Sequence, residues 1–294
     1  MTQKTPLPDF DAWWDYQNPD ATEEKFQELL KKPEVSENKS YHCQLLTQIA
    51  RTQGLQRKFE QSHQTLDQAQ QLIDDTHSVE QVRYLLERGR AFRSSGDPDA
   101  ARPLFHHAWE LGNRLNEDFY AIDAAHMMAF VEPPEKELEW NLKALDQVEK
   151  TKDEKAKKWA GSLYNNIGWT YHDAGEYEKA LALFEKALDY QEQQNNIHRI
   201  HIAKWCLARA LRSLDRIKES LKIQQVLLKD IESETVPDNG YVHEELGECL
   251  WLLDRKDEAR PYFALAYKTM SQDEWMVENE SERLERLRQL SEAS

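Results

Sequence analysis

The clearest pattern of apolar and polar positions lies between Tyr164 and Leu188. Apolar side chains recur there at spacings of three and four residues, on both sides of the turn at residues 173–175. This spacing places them on one face of each of two amphipathic helices. Gly168 on the first helix and Ala180 on the second are small enough to let the two backbones approach closely. We therefore predict a helical hairpin, which needs further units of the same kind to bury its apolar face.

The same register recurs along the chain, with repeats that begin near Cys43, Val82, Asp118, Gly161, His201 and Gly240. Three positions in each repeat, where the two helices would approach, hold Gly, Ala or Ser almost throughout, and the exceptions are Glu137 and Leu227. A large apolar residue of the second helix recurs as Leu66, Phe105, Phe184 and Phe263. Asn141 and Gln224 stand at that position in the third and fifth repeats, which are therefore the weakest matches.

The spacing of Gly, Tyr, Ala, Phe and Ala in the fourth repeat resembles the tetratricopeptide repeat, in a long form with a period of about 40 residues. The resemblance implies an all-α fold, a right-handed superhelical solenoid of about six helix pairs. Residues 1–42 would form a non-repeat capping segment and residues 43–272 the solenoid. Residues 273–294 would form a capping helix, because the last repeat of a solenoid needs a polar-backed cover.

Composition and charge narrow the classes of partner. The chain has 31% charged residues and a formal net charge of −16, which disfavours non-specific binding to nucleic acid or anionic membranes. We find no apolar run long enough to span a bilayer and no signal-peptide pattern, so we expect a cytoplasmic protein. Cys43, Cys206 and Cys249 lie far apart, and we interpret them as small buried apolar residues.

The sequence offers no strong catalytic or metal-binding pattern. It contains neither a Gly-rich phosphate loop nor a nucleophile elbow. His172, His198 and His201 are close enough in register to suggest a metal site, but no acidic or Cys ligand is paired with them locally. We therefore expect a protein that is not an enzyme, with no metal and no cofactor.

The resemblance also implies that the first helices of the repeats line a concave groove. The ligand-binding residues predicted there are Arg83, Arg90, Arg93, His126, Asn165, Asn166, Trp169, His172, Trp205, Arg209, Arg212 and Trp251. Arg binds carboxylates bidentately, Asn can bond a peptide backbone, and indoles give large apolar contacts. These residues predict a scaffold or adaptor that binds an acidic, partly apolar peptide segment. An acidic cluster at residues 244–248 would attract a basic residue at one end of that peptide.

Two alternatives stay open at this point. The groove arginines could pair with acids of the chain itself, such as Glu87, instead of binding a ligand. The chain could also be a structural solenoid that forms a homodimer through the aromatic N-terminal segment around Trp13 and Trp14, with no groove ligand. The sequence does not decide whether the third repeat, near residues 118–150, is regular.

Overall fold

The structure, a computed structural model, describes residues 7–292, which form α-helices joined by short turns. The chain divides into two compact units, Met1–Trp159 and Ala160–Ser294. The helices of the first unit are α1 (Pro19–Leu30), α2 (Pro33–Ser36), α3 (Lys39–Leu55), α4 (Phe59–Gln71), α5 (Val79–Ser94), α6 (Pro98–Leu115), α7 (Asp118–Ala129), α8 (Pro134–Lys150) and α9 (Glu154–Lys157). Those of the second unit are α10 (Ala160–Asp173), α11 (Tyr177–Gln193), α12 (Ile197–Ser213), α13 (Ile217–Glu232), α14 (Tyr241–Leu252), α15 (Lys256–Met270), α16 (Glu274–Asn279) and α17 (Ser281–Glu292).

Consecutive helices pair as hairpins, which confirms the predicted all-α architecture. The first unit contains the pairs α3–α4, α5–α6 and α7–α8, and the second contains α10–α11, α12–α13 and α14–α15. The third pair is helical throughout, although its helices differ in length: α7 has 12 residues and α8 has 17. Pro133 and Pro134 separate them, because proline cannot continue α7 but fits the first turn of α8.

The core of three hairpins depends on a contact between a phenylalanine and a glycine. Phe105, Phe184 and Phe263 are fully buried, and each ring lies against a glycine of the preceding helix. A Cβ atom added to Gly89, Gly168 or Gly247 would lie 2.6, 2.5 or 2.7 Å from that ring. A larger residue at these positions would therefore require the phenylalanine ring to shift. The other three hairpins have alanine at the glycine position and a residue other than phenylalanine opposite it, in the pairs Ala50 with Leu66, Ala125 with Asn141 and Ala208 with Gln224.

The C-terminal cap differs from the single helix predicted for residues 273–294. It consists of two helices, α16 and α17, which are separated at Glu280. Asn279 and Ser281 flank the break, and both residue types favour helix ends because their side chains compete for backbone hydrogen bonds. The Asn279 side chain donates to the carbonyl of Trp275 at 2.9 Å. Residues 293 and 294 of this segment, like residues 1–6 of the predicted N-terminal cap, lie outside the described residues.

The three cysteines are free thiols and buried, as predicted. Burial raises the pKa of Cys43 and Cys206 to about 12 and that of Cys249 to about 11. They are therefore neutral, weakly reactive side chains at physiological pH. None of the helices within residues 7–292 combines the length and apolar character needed to cross a membrane.

Candidate functional site

The N-terminal segment lies on one face of the first unit. We call residues 8–14 the strap; it contains the 3₁₀ turn Phe10–Trp13. Phe10 is 6% exposed and contacts the rings of Phe26 and Tyr41 edge-on, with centroids 6.1 and 5.0 Å away. The Tyr41 hydroxyl donates to the carbonyl of Pro8 at 2.8 Å. The strap is thus held by aromatic packing and by a bond to its main chain.

A network of charged side chains lies beneath the strap. We call it and its neighbours the first-unit face, which comprises Gln48 and Arg51 of α3, Arg83, Glu87 and Arg90 of α5, and Phe119, Tyr120 and Asp123 of α7. Arg83 is 4% exposed and donates to both carboxylate oxygens of Asp11, at 2.7 and 3.0 Å. It also donates to the Tyr120 hydroxyl at 2.7 Å. The buried cation therefore receives its acid from the strap rather than from its own repeat.

Arg90 is paired within the same network. It donates to Glu87 at 2.7 Å and to Asp123, and Arg51 donates to Glu87 at 3.3 Å. Burial opposes the charge of Arg90, but Asp123 and Glu87 outweigh that effect and raise its pKa. The alternative in which groove arginines pair with acids of the chain itself therefore holds for Arg83 and Arg90.

The electrostatics of the strap acid follow from the same contacts. Burial alone would raise the pKa of Asp11, but hydrogen bonds and the charge of Arg83, with a further contribution from Lys155, lower it below its usual value. The Lys155 Nζ atom lies 3.3 Å from Asp11 Oδ2. Asp11 is therefore ionised throughout the physiological pH range.

An open cavity of about 180 Å³ adjoins this network. Aromatic residues at positions 14, 16, 119, 120 and 159 form part of its wall, together with the basic residues at positions 51, 83, 90 and 155. Two N–H groups of residues in the lining, Arg83 Nε and Trp159 Nε1, are themselves buried and have no hydrogen-bond partner among the described residues. The cavity itself thus combines aromatic surface with basic side chains.

Two further predicted residues, Arg93 and His126, lie on the same unit. Arg93 stacks on the ring of Phe130, with its guanidinium carbon 4.6 Å from the ring centroid, and has no ion pair within residues 7–292. The His126 ring contacts Phe130 and Trp159, at centroid distances of 4.9 and 5.1 Å. Its Nδ1 atom has no partner in the described part of the chain, and burial lowers its pKa.

In the second unit the predicted asparagines and tryptophans border different cavities. Asn165 and Asn166 line a polar cavity of about 110 Å³, and Asn165 accepts a bond from the Cys206 thiol at 3.3 Å. Trp205 lines a separate, mostly apolar cavity of about 200 Å³ and donates to the carbonyl of Tyr241 at 3.2 Å. Trp169 packs against Trp205, with ring centroids 5.8 Å apart.

The remaining predicted residues of the second unit are engaged in contacts within it. Arg209 and Arg212 both pair with Glu245, at 3.2 and 2.7 Å. His172 lies 3.0 Å from the Ser213 hydroxyl, and burial followed by the charge of Arg209 lowers its pKa. The Trp251 ring packs edge-on against the Phe263 ring, with the two ring centroids 6.0 Å apart.

The acidic cluster of the second unit receives its counter-charges from α17. Arg283 donates two hydrogen bonds to the Glu244 carboxylate, and the bond from its Nε atom is 2.9 Å long. Arg286 donates to Glu248. We call Arg209, Arg212, Glu244, Glu245, Glu248, Arg283 and Arg286 the second-unit face. These glutamates were expected to attract a basic residue of a ligand. Arginines of the chain itself already neutralise their negative charge.

Sequence reasoning missed Asp11, Lys155 and Trp159 in the first unit and the two arginines of α17 in the second. All of them lie outside the repeat register, so periodicity carries no signal for them. The one available hint was an acid between aromatic residues at positions 10–14. Among the described residues, no group of three or more His, Cys, Asp and Glu side chains could hold a metal ion.

Comparison with solved structures shows the fold of this chain. A signal-transduction ATPase with a tetratricopeptide repeat sensor, from Pyrococcus horikoshii, superposes with a TM-score of 0.71 at 13% identity, over 92% of this chain and 41% of that one. The apo form of RapI gives 0.70 at 13% identity, over 90% and 76% of the two chains. The apo quorum sensor NprR from B. thuringiensis gives 0.51 at 15% identity, over 87% and 83%.

Sequence comparison identifies the repeat. This chain spans less than half of the Pyrococcus protein, and no protein of curated function matches its sequence. Two family models described as the tetratricopeptide repeat match residues 162–193 and 207–274. These segments contain the hairpin α10–α11 and most of the two hairpins that follow it. The matches show that the second unit contains tetratricopeptide repeats, and the superpositions show that the chain has the fold of tetratricopeptide repeat proteins.

Proposed function

We propose that this chain is a protein-interaction module whose first-unit face binds an acidic, partly apolar segment of a partner protein. Tetratricopeptide repeat proteins generally act as protein-interaction scaffolds. The single observation that carries the proposal is the cavity of about 180 Å³, which has aromatic walls and basic side chains. A carboxylate oxygen is the group that accepts from such basic side chains.

The basic residues of the cavity are not equally available to a ligand. Arg83 and Arg90 are buried and already form ion pairs. Arg83 pairs with Asp11, and Arg90 pairs with Glu87 and Asp123. The Lys155 side chain is 47% exposed and that of Arg51 is 24% exposed, and each makes one ion pair at 3.3 Å. An ammonium has three donors and a guanidinium five, so both retain donors for a ligand carboxylate. Charge-assisted bonds of this kind are roughly twice as strong as neutral ones.

Apolar contacts would supply the rest of the affinity. Phe119, Trp159 and the Arg93–Phe130 stack offer ring surfaces beside His126. Aromatic side chains give large contact areas at small entropic cost. An affinity in the micromolar range, about −8 kcal/mol, is what a short segment held in this way would show.

In the second unit we extend the proposal to the asparagine pair. The Asn166 side chain and the Arg199 guanidinium make no hydrogen bond or ion pair with the described residues of the unit, and both residues line the polar cavity of about 110 Å³. They suit the main chain and an acidic side chain of a bound segment. The likeness to a repeat sensor and to a quorum sensor is consistent with a binding role, but at 13–15% identity it extends to the fold alone.

Binding of labelled peptides to the full chain tests the proposal. A panel of fluorescent 12-residue peptides, with acidic and aromatic content varied independently, would be titrated in an anisotropy assay. We expect the tightest binding by peptides that have both features. Lys155→Ala should weaken that binding about tenfold, the equivalent of one charge-assisted bond, and should reduce its salt dependence.

Lys157→Ala is the matched control, because Lys157 lies on the same helix with similar exposure and pairs locally with Glu154. It should leave peptide binding unchanged. The proposal is wrong if no peptide of the panel binds, or if the two lysine variants behave alike.

Self-association through Trp13 and Trp14 stays the alternative prediction. Both indoles are only partly exposed, and both pack against the core of the first unit. Sedimentation velocity of the full chain and of a chain that lacks residues 1–20 would test it, since this alternative requires a dimer that disappears with the segment.

A further inference from the structure

The strap has the chemistry that the proposed function requires of a ligand. It carries an ionised acid, Asp11, with an aromatic residue directly before it and two indoles shortly after it. It lies on the first-unit face at the cavity, whose lining includes Asp11 and Trp14. The chain therefore places an acidic, partly apolar segment of its own where the partner segment is expected.

We propose that the strap is an internal ligand, and that the partner presents the same pattern, an aromatic residue, an acid, two further residues and a tryptophan, with which it displaces the strap. This inference rests on the proposed function and specifies its ligand. Each element of the pattern corresponds to one contact of the strap.

The acid is the element with the most specific contact. Arg83 is buried, and both oxygens of Asp11 accept from it at 2.7 and 3.0 Å. The two residues are 72 positions apart in the chain, so no repeat supplies this acid. A buried arginine without a carboxylate is costly, which means that the site requires an acid but accepts one from any segment that reaches it.

The two aromatic elements fit sites that do not depend on the rest of the strap. Phe10 occupies the space between Phe26 and Tyr41. Trp14 lies edge-on to Phe26 at 5.6 Å, and its indole N–H donates to Gln48 at 3.0 Å. The bond from Tyr41 to the carbonyl of Pro8 is made to the main chain and imposes no side-chain requirement.

The strap is held less firmly than helix α1, which follows it. Helix α1 has its own buried anchor in the core of the unit, Leu29 at 1% exposure. The strap itself is more exposed, since 25% of the Asp11 side chain is accessible and Trp14 is half-buried. As an attached segment it competes at a high effective concentration, of the order of millimolar, so it lowers the apparent affinity for a free segment.

Competition between the strap and a free copy of it tests the inference. The probe is a fluorescent peptide with the sequence of residues 7–16, titrated into three full-length proteins: wild type, Asp11→Asn and Asp15→Asn. Asp11→Asn removes the charge that holds the strap on Arg83, so the peptide should bind this variant at least about tenfold more tightly than wild type. Asp15→Asn makes the same charge change just beyond the strap, where the Asp15 carboxylate accepts only from Gln17 and Asn18 among the described residues, and this variant should bind as wild type does.

A peptide with asparagine at the position of Asp11 completes the design, and it should lose about tenfold or more of the affinity for the Asp11→Asn protein. Hydrogen exchange on wild type gives a second readout if the variant folds poorly. A saturating concentration of the peptide should accelerate exchange of the amides of residues 10–14.

Equal affinity for all three proteins, or unchanged exchange in the strap at saturation, would overturn the inference. The peptide panel with the Lys155 and Lys157 variants then decides separately on the proposed function. If panel peptides without the strap pattern bind wild type and depend on Lys155, the binding function stands and only the internal-ligand inference falls.

Discussion

The first-unit face and the second-unit face are both built from arginine–carboxylate pairs, but they differ in the groups that remain available beside those pairs. On the first-unit face, a cavity with aromatic walls and a half-exposed lysine remains. On the second-unit face, Glu245 lies between two arginines, and α17 covers Glu244 and Glu248. Paired charges therefore leave few donors for a ligand on either face. The half-exposed lysine and the aromatic wall of the first unit are the features on which the proposed function rests.

The terminal segments of the chain meet these faces with opposite signs. The strap brings the acid Asp11 to a buried arginine, whereas α17 brings Arg283 and Arg286 to buried glutamates. Helix α17 also buries Leu284 and Leu287 in the core of its unit, at 6 and 0% exposure. The strap has one buried anchor, Phe10. Helix α17 is therefore the more firmly anchored of the two segments, which agrees with the proposal that a competitor replaces the strap.

The largest effect that tests this comparison is the loss of a buried arginine. Arg90→Ala should lower the free energy of unfolding by about 3–5 kcal/mol, because it leaves the buried carboxylate of Asp123 without its cation. Arg212→Ala should cost less, since Glu245 keeps Arg209 at 3.2 Å. Urea denaturation of the full-length variants measures both values.

Arg93→Ala is the control for these variants, as Arg93 makes no ion pair in the described structure and rests on an exposed ring. It should change the free energy of unfolding by less than about 1 kcal/mol. If Arg93→Ala lowered the free energy of unfolding as much as Arg90→Ala does, the ion pairs would not be the reason for the loss of stability. The same reasoning makes Arg90 and Arg212 poor probes of ligand binding, because their removal disturbs the fold.

The sequence predicted the cores of the hairpins because those contacts are local and periodic. Gly168 and Phe184 are 16 positions apart in one repeat, and their spacing recurs in Gly89 with Phe105 and Gly247 with Phe263. A small residue followed at a fixed interval by a large apolar one can be recognised from the sequence alone. Asn141 and Gln224, which replace the large apolar residue in two repeats, could be recognised for the same reason.

The sequence could not predict the partners of the groove arginines. Asp11 and Arg83 are 72 positions apart, and Glu244 and Arg283 are 39 apart. In each of these ion pairs one residue lies outside the repeats. Such pairs do not recur at a fixed spacing, so the repeat pattern of the sequence does not reveal them. The sequence also could not predict that Asn165 and Trp205 line two different cavities. Their separation depends on which side chains of neighbouring helices lie between them.

The second prediction tests the core that both units share. Gly89→Ala in the first unit and Gly247→Ala in the second should each cost about 2 kcal/mol, because the new methyl group overlaps the phenylalanine ring. Gly89→Ala combined with Phe105→Leu should recover part of this loss, since Ala50 with Leu66 is the natural form of that combination. Similar costs in the two units would confirm that they differ at their faces and not in hairpin packing, whereas a cost in one unit alone would contradict it.

The third prediction concerns the polar residues at the phenylalanine position. Gln224 is fully buried, and neither of its amide atoms has a partner among the described residues. Gln224→Leu should therefore raise the free energy of unfolding by about 1 kcal/mol, because it removes two unsatisfied polar atoms from the core. Asn141→Leu should gain less, as Asn141 interacts with His126 and raises its pKa. Equal gains from the two substitutions, measured by urea denaturation, would show that the contact of Asn141 with His126 does not stabilise the fold.

The smallest effect is the pH dependence that distinguishes His126 from His172. Burial lowers the pKa of both residues, so each is neutral in the native state and protonates more readily when the chain unfolds. Because the unfolded state then binds more protons below about pH 6.5, the free energy of unfolding should fall between pH 7.5 and 5.5. Asp11 does not contribute in this window, since its lowered pKa places its loss of stabilisation below 3.8.

Replacement of either histidine by glutamine should reduce that fall, and the two variants should differ at pH 7.5. His172 bonds to Ser213 at 3.0 Å, whereas His126 Nδ1 has no partner within the described residues. His172→Gln should therefore lower the urea midpoint at pH 7.5, while His126→Gln should lower it less. A larger loss at pH 7.5 from His126→Gln would mean that the contact of His126 with Asn141 stabilises the fold more than the bond between His172 and Ser213 does.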